Sequence, residues 1–138
     1  MNNKKISRGA LLAMADEARS KSYSPYSNIS VGAALLTEEG KVYAGTNFEN
    51  VAYSHTICAE RAAFAAAISA GERRFSAIAV AGGKRGEPRE AVFAPCGACR
   101  QVMAEFCSGD FEVILSEDKV IRLSELLPFE FNFGGKDL

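Results

Sequence analysis

The sequence predicts an α/β fold: a three-layer α/β/α sandwich built on a mixed five-stranded sheet. Short apolar runs typical of strands alternate with segments typical of helices, in the order α-β-β-α-β-α-β-β-α. Several of these strands are apolar on both faces, which is expected of a sheet covered by helices on both sides. The 138 residues contain no repeat, low-complexity tract or linker, so we expect a single domain over residues 1–138.

The first third of the chain predicts one helix and a pair of antiparallel strands. Pro25, in "YSPYSN" (23–28), ends a helix predicted over 4–21. "ISVGAALLT" (29–37) is typical of a buried strand, and "KVYAGTN" (41–47) follows as its partner across a turn. The helix has a broad apolar face formed by Ile6, Leu11, Leu12, Ala15 and Ala18.

The middle of the chain predicts an alanine-rich helix followed by a strand. "CAERAAFAAAISA" (58–70) is apolar nearly all round, and Gly71 is suited to end it. We expect such a helix to be buried on most sides. "FSAIAVAGG" (75–83) predicts a strand, and the polar segment 84–90 predicts a loop.

The last third predicts a helix, two strands and a short terminal helix. Pro95 opens the helix "CGACRQVMAEFCS" (96–108), since proline is tolerated in a first turn. The runs 111–116 and 119–124 predict two strands joined by a turn. The pattern alone leaves open whether 119–124 joins the main sheet. A short helix and a tail are expected in 124–138.

Composition and charge favour a small ligand over a polymer or a membrane. The formal net charge is −1 and the basic residues are scattered, which is not the electrostatic footprint of a nucleic-acid-binding protein. No apolar run approaches the roughly 18–20 residues that span a bilayer. The first apolar stretch is interrupted by Asp16, Glu17 and Arg19, so it does not resemble an export signal. We therefore expect a cytoplasmic protein.

Three cysteines and a glutamate have the spacing of a catalytic metal site. Cys96 and Cys99 are three residues apart at a helix start, and Cys58 and Glu60 begin another helix. Two helices with facing N-termini would bring the three sulfurs to one metal, with Glu60 alongside. Three protein ligands leave the fourth position of tetrahedral zinc open, as in catalytic sites. Arg61 is the nearest cation to offset the thiolate charge.

The order C-A-E then P-C-x-x-C resembles the signature of the zinc deaminases. "SPYSNISVGAAL", "NFENVAYSHTICAERAA", "PCGACRQV" and "ELLP" together resemble the small tetrameric cytidine deaminases over most of 23–131. The resemblance implies hydrolysis of cytidine and deoxycytidine to uridine and deoxyuridine, in pyrimidine salvage. It also implies a pyrimidine nucleoside as substrate, one Zn²⁺ per subunit and a homotetramer.

The resemblance also implies roles around the metal. Cys58, Cys96 and Cys99 match the zinc ligands of the family. Glu60 matches its proton-shuttling carboxylate, and Arg61 matches an arginine that hydrogen-bonds the zinc thiolates.

Substrate contacts follow from the same resemblance. Asn47 and Glu49 match the pair that binds the ribose 3′-hydroxyl, although both could instead organise the loop in which they lie. Ala59 matches a residue whose backbone touches the pyrimidine. Phe131 matches an aromatic supplied by a neighbouring subunit. Ile29 departs from the family, since many members have a phenylalanine there that packs on the substrate; apolar contact is retained without ring stacking.

Two further residues have expected places in the fold, and three other functions are alternatives to deamination of cytidine. Cys107 is expected to be a core thiol, and His55 to lie outside the metal ligands, at an interface or behind the site. Deamination of another aminopyrimidine nucleoside, such as a nucleoside antibiotic, is the nearest alternative. A non-catalytic zinc-binding module would leave Glu60 without a purpose. Polynucleotide editing is disfavoured by the balanced charge.

Overall fold

The computed structural model describes residues 6–134 of the chain. Its elements follow the predicted order. They are α1 (Arg8–Ala18), β1 (Ile29–Thr37), β2 (Val42–Thr46), α2 (Ala59–Ser69), β3 (Phe75–Lys84), α3 (Gly97–Phe106), β4 (Glu112–Ile114), β5 (Val120–Arg122) and α4 (Leu123–Leu126). Single 3₁₀ turns span Arg19–Lys21 and Tyr53–His55.

One mixed sheet of five strands organises the chain, with strand order β2-β1-β3-β4-β5. All neighbouring pairs are antiparallel except β3 and β4, which are parallel. The last strand, β5, pairs with β4 through Val113 and Ile121, so the segment whose place the sequence left open belongs to the sheet.

Helices cover both faces of this sheet, which confirms the three-layer sandwich. On one face α1 buries Leu11 and Leu12 against small residues of the central strands, including Ala79. On the other face α2 and α3 bury Phe64 and Met103 against the apolar side chains of β1, β3 and β4. Each layer therefore removes its apolar face from water, the main favourable term in folding.

The strand directions place the start of α2 and the start of α3 at the same edge of the sheet. Both β2 and β3 run antiparallel to β1, so they are parallel to one another, and β4 is parallel to β3. Each of these two helices thus connects parallel strands and begins beyond a strand's carboxyl end, where α/β proteins commonly bind ligands.

The structure corrects the predicted start of the first helix and shows which face of α2 is exposed. The first helix begins at Arg8 rather than residue 4, because the Ser7 hydroxyl accepts a hydrogen bond from the Ala10 amide (3.0 Å) and caps it; residues 4 and 5 lie outside the described part of the chain. Helix α2 is buried or half-buried on most sides, as predicted, and one of its faces is exposed within one chain. Its exposed positions are Ala65, Ala66, Ser69 and the C-cap Ala70.

Within residues 6–134, none of the helices has the length and apolar character needed to cross a bilayer.

Candidate active site

The three predicted cysteine ligands lie at the N-termini of α2 and α3. Cys58 is the N-cap residue of α2 and Cys96 is that of α3, whereas both were predicted inside their helices. Neither side chain makes a capping hydrogen bond, so both sulfurs are available for another partner. Cys99 lies one turn along α3 and is buried.

The spacing of the three sulfurs fits a zinc ion. The Sγ atoms of Cys58 and Cys96 are 3.8 Å apart, those of Cys96 and Cys99 are 3.3 Å apart, and all three lie within 4.8 Å of one another. Tetrahedral zinc with Zn–S bonds of about 2.3 Å separates its sulfur ligands by about 3.8 Å. Among the described residues, these are the group that could hold a metal ion. The set leaves one tetrahedral position open.

The surroundings of the sulfurs favour a thiolate. A hydrogen bond from the Cys99 thiol, together with the nearby Arg61 guanidinium, lowers the pKa of Cys58 to about 5. The same hydrogen bond raises the pKa of Cys99, so the two thiols do not ionise independently. Since a divalent metal binds the thiolate form, this cluster is prepared for a cation.

Arg61 lies where the sequence placed it, beside the thiolates. One Nη atom donates to the Thr56 carbonyl (3.0 Å) and lies 3.9 Å from Cys58 Sγ. Its buried Nε has no hydrogen-bond partner within residues 6–134. An arginine held by a backbone carbonyl and directed at the cysteines can offset the negative charge of three thiolates.

Glu60 is a buried carboxyl group in the first turn of α2. It is 4% exposed, and this burial raises its pKa to about 7. The negative charge of Cys58 acts in the same direction and Arg61 acts against it. A carboxyl group with a pKa near neutrality can both accept and donate a proton at physiological pH, as a general acid–base catalyst requires.

Asn47 is buried and fastens the end of β2 to the start of β1. Its Oδ1 accepts hydrogen bonds from the Ser22 hydroxyl (2.6 Å) and the Val31 amide (2.9 Å), and its Nδ2 donates to the Ile29 carbonyl (2.9 Å). The side chain therefore organises this loop, as one reading of the sequence suggested. The ribose contact stays a prediction.

Glu49 organises the neighbouring loop in a similar way. One carboxylate oxygen accepts from the Tyr26 and Ser27 amides (2.9 and 3.2 Å), and the other accepts from the Ser27 hydroxyl. Burial opposes ionisation of Glu49, but these hydrogen bonds outweigh it and lower its pKa. Its contact with a sugar also stays a prediction.

The remaining predicted substrate residues occupy three different settings. Ala59 is fully buried at the start of α2. Ile29 is half-buried at the start of β1, where its carbonyl binds Asn47. Phe131 is 68% exposed, and its ring contacts Phe133 edge-on with ring centres 5.4 Å apart. Its role at a neighbouring subunit stays a prediction.

Sequence reasoning missed the tyrosines beside Glu49. Tyr26 and Tyr53 form an edge-to-face pair with ring centres 5.9 Å apart, and both are at least half exposed. Both tyrosines lie in segments that carry the family resemblance, but neither was assigned a role, although exposed aromatics next to functional residues are a usable signal. His55 lies nearby and is exposed, while Cys107 is buried in the core as predicted.

Comparisons with known proteins agree with this geometry. Residues 6–115 match the family model described as the cytidine and deoxycytidylate deaminase zinc-binding region. The chain is 48% identical to a cytidine deaminase of Sporosarcina psychrophila over 88% of this chain and 89% of that protein. It is 47% identical to a cytidine deaminase of Halalkalibacterium halodurans over 91% of this chain and 95% of that protein.

A solved structure with the same fold supports the same assignment. The crystal structure of a cytidine deaminase from Burkholderia pseudomallei superposes with a TM-score of 0.83 at 45% identity, covering 91% of this chain and all of that one. Fold, cysteine cluster and sequence identity agree, and the chain belongs to the cytidine and deoxycytidylate deaminase family.

Proposed function

We propose that this chain is a zinc-dependent hydrolase that converts cytidine and deoxycytidine to uridine and deoxyuridine with release of ammonia. The observation that carries the proposal is the cluster of Cys58, Cys96 and Cys99 at two facing helix starts, with the buried Glu60 beside it. The two relatives at 47–48% identity are named cytidine deaminases, and the match covers nearly the whole length of each.

The chemistry divides between the metal and the carboxyl group. Cys58, Cys96 and Cys99 would hold the zinc ion, which would supply a water molecule activated near neutral pH. Glu60 would accept one proton of that water and pass it to N3 of the pyrimidine, and would then take the second proton from the new C4 hydroxyl and give it to the departing amine. A pKa near 7 suits a group that takes up and gives back a proton in one cycle. The net reaction replaces the C4 amino group by the oxygen of water.

Other residues of the chain hold the charges and the substrate. Arg61 offsets the thiolate charge, and the backbone at Ala59 lies against the pyrimidine. The second N–H of Asn47 Nδ2 and the lone pairs left on the Glu49 carboxylate are suited to a sugar hydroxyl, which both donates and accepts. Ile29 supplies apolar contact without the ring stacking that many family members have.

An absorbance assay tests the reaction and its rivals. We expect the ultraviolet absorbance of cytidine to fall on mixing, with equimolar ammonia formed. Free cytosine lacks the ribose, so its kcat/KM should be far lower; comparable values would remove Asn47 and Glu49 from substrate binding. Unchanged cytidine would leave deamination of another aminopyrimidine nucleoside, or a non-catalytic zinc-binding module.

The proposed enzyme is a homotetramer with one zinc ion per subunit. Support comes from apolar surface that a single chain leaves uncovered. Phe129, Phe131 and Phe133 are all well exposed, and so is the small-residue face of α2. We further propose that residues 1–138 act as one catalytic domain, in the cytoplasm and in pyrimidine salvage.

A further inference from the structure

We propose that Arg19 is a positioning residue that holds the start of β1, and through it Ile29 and Asn47, in the geometry that binds substrate. This inference rests on the proposed nucleoside function. Arg19 belongs to the opposite layer of the sandwich and touches none of the predicted site residues through its side-chain hydrogen bonds.

Arg19 is a buried cation bonded mainly to neutral backbone groups. It is 7% exposed, and its ion-pair partner Asp16 (3.0 Å) lies largely at the surface. Its Nε donates to the Ser30 carbonyl and hydroxyl (3.0 and 3.2 Å), and one Nη donates to the carbonyls of Lys84 and Glu87 (3.2 and 3.1 Å). Removing the guanidinium charge from water costs free energy that contacts with neutral carbonyl groups do not readily offset. A role in positioning these backbone segments therefore explains the buried Arg19 better than a gain in stability does.

The end of α1 lies close to β1 at Gly32, and the Arg19 guanidinium lies close to β3 at Gly83. A Cβ at Gly32 would lie 1.9 Å from the Ala15 carbonyl oxygen and 2.9 Å from the Arg19 amide. A Cβ at Gly83 would lie 3.2 Å from an Arg19 Nη atom. The helix end therefore lies directly on the sheet, and the guanidinium spans the seam between β1 and β3, where Ser30 is paired with Gly83.

Residues 29–31 at the start of β1 are held from two sides, by Arg19 on one and by Asn47 on the other. Asn47 binds the carbonyl of Ile29 and the amide of Val31, and Arg19 binds the carbonyl of Ser30 between them. Successive carbonyls of a strand point in opposite directions, so the two side chains grip opposite edges of one short segment. Loss of Arg19 removes the side-chain contacts on one edge and leaves only the pairing with β3 there, so the residues proposed to contact base and sugar are held less precisely.

Arg19 also anchors the loop that leads from β3 toward Cys96. Besides the two carbonyls it binds there, the Arg85 amide donates to the Asn28 carbonyl (2.7 Å) and the Glu90 amide donates to the Gly82 carbonyl (2.8 Å). These contacts do not involve Arg19, and Cys96 lies a further six residues along the chain. We therefore expect the effect of Arg19 on the substrate side to exceed its effect on zinc.

The test compares two Arg19 variants with two controls in the zinc-loaded enzyme. Arg19→Met keeps the apolar stem and removes every donor, and Arg19→Lys keeps the charge with fewer donors. Leu12→Ala destabilises the same helix through the core without touching this hydrogen-bond set. Asp16→Asn removes only the exposed ion pair. The readouts are kcat and KM for cytidine, bound zinc per chain and the thermal midpoint.

For Arg19→Met we expect KM to rise about tenfold while kcat changes less than about threefold, a modest case of the loss that small misplacements cause. Zinc content should match the wild type, and Arg19→Lys should be intermediate. Leu12→Ala and Asp16→Asn should keep the wild-type KM.

Four results would overturn the assignment: an unchanged KM in Arg19→Met, an equal rise in KM in Leu12→Ala, a fall in kcat alone, or failure of both Arg19 variants to fold. A wild-type protein that binds zinc but does not convert cytidine would refute the proposed function instead.

Discussion

At the scale of single residues, the proposed chemistry depends on Glu60 more than on any other side chain. Its carboxyl group is buried beside the sulfur cluster and its pKa lies near 7, so it can exchange protons with water and substrate. Glu60→Gln keeps the shape and removes the exchangeable charge. We expect kcat to fall by about 10²–10⁴, the usual worth of a general acid–base group, with zinc still bound.

Fixed-time assays of cytidine conversion and zinc analysis of the same preparation check this expectation. Glu39→Gln, an identical exchange at an exposed position, is the matched control and should retain wild-type turnover. If Glu60→Gln turned over cytidine at a near-normal rate, Glu60 would have no place in the mechanism.

Glu49 gives a pH dependence with a definite sign. Its folded pKa lies below the ordinary value of 4.5, so its contribution to stability is present above that pH and is lost as the pH falls through the lower, folded value. We expect Glu49→Gln to lose less stability than the wild type between about pH 6 and about pH 3.5. Urea denaturation at the two pH values measures the difference, with Glu39→Gln as control; equal acid losses in Glu49→Gln and wild type would contradict it.

The sequence predicted residue chemistry well where it depended on local spacing. The i, i+3 interval runs from the N-cap Cys96 to Cys99 in the first turn of α3, and the two sulfurs are 3.3 Å apart. The contacts of Asn47 depend instead on Ser22 and Val31, which are distant in sequence and are brought together by strand pairing. No spacing rule predicts such partners.

At the scale of elements, the position of α2 depends on a glycine in the strand beneath it. A Cβ on Gly45 would lie 2.4 Å from both the Ala59 carbonyl oxygen and the Ala63 amide. We expect Gly45→Ala to push away the helix start that carries Cys58 and Glu60. The free energy of unfolding should fall by about 1–3 kcal/mol, as in other overpacked sites, and zinc should be released at lower chelator concentration.

Chemical denaturation and chelator titration measure these two effects. Gly9→Ala is the matched control, because Gly9 lies in α1 and an added methyl group there would meet only the end of the Glu117 side chain at 3.3 Å. That variant should be slightly more stable than the wild type, by at most about 1 kcal/mol. If Gly45→Ala had the stability and zinc retention of the wild type, the packing of α2 on β2 would not require a glycine at this position.

Element order was predictable from hydrophobic periodicity, while element ends were not. Cys58 and Cys96 are N-caps, although the sequence predicted them inside their helices. The sequence missed these helix starts because neither N-cap position carries a serine, threonine or aspartate. The short strands β4 and β5 are three residues each, too short for periodicity to assign them to a sheet. Their pairing is decided by tertiary contacts.

At the scale of the whole molecule, a single chain leaves an apolar surface exposed to water, which favours an oligomer. Ala65, Ala66 and Ser69 on α2 are uncovered, although the helix is apolar. We expect the protein to sediment with the mass of four chains at micromolar concentration. Ala66→Glu, which places a charge on this face, should shift it to smaller species, while Glu39→Gln should not; a wild-type monomer would refute the tetramer.

Zinc-dependent deamination is tested most directly by measuring uridine formation and zinc content on one sample of purified protein, before and after chelation and zinc return. We expect about one zinc per three-cysteine cluster, conversion of cytidine to uridine and ammonia, loss of both on chelation and recovery of both together. A protein that carries its full zinc complement and leaves cytidine unchanged would refute cytidine deamination at this site.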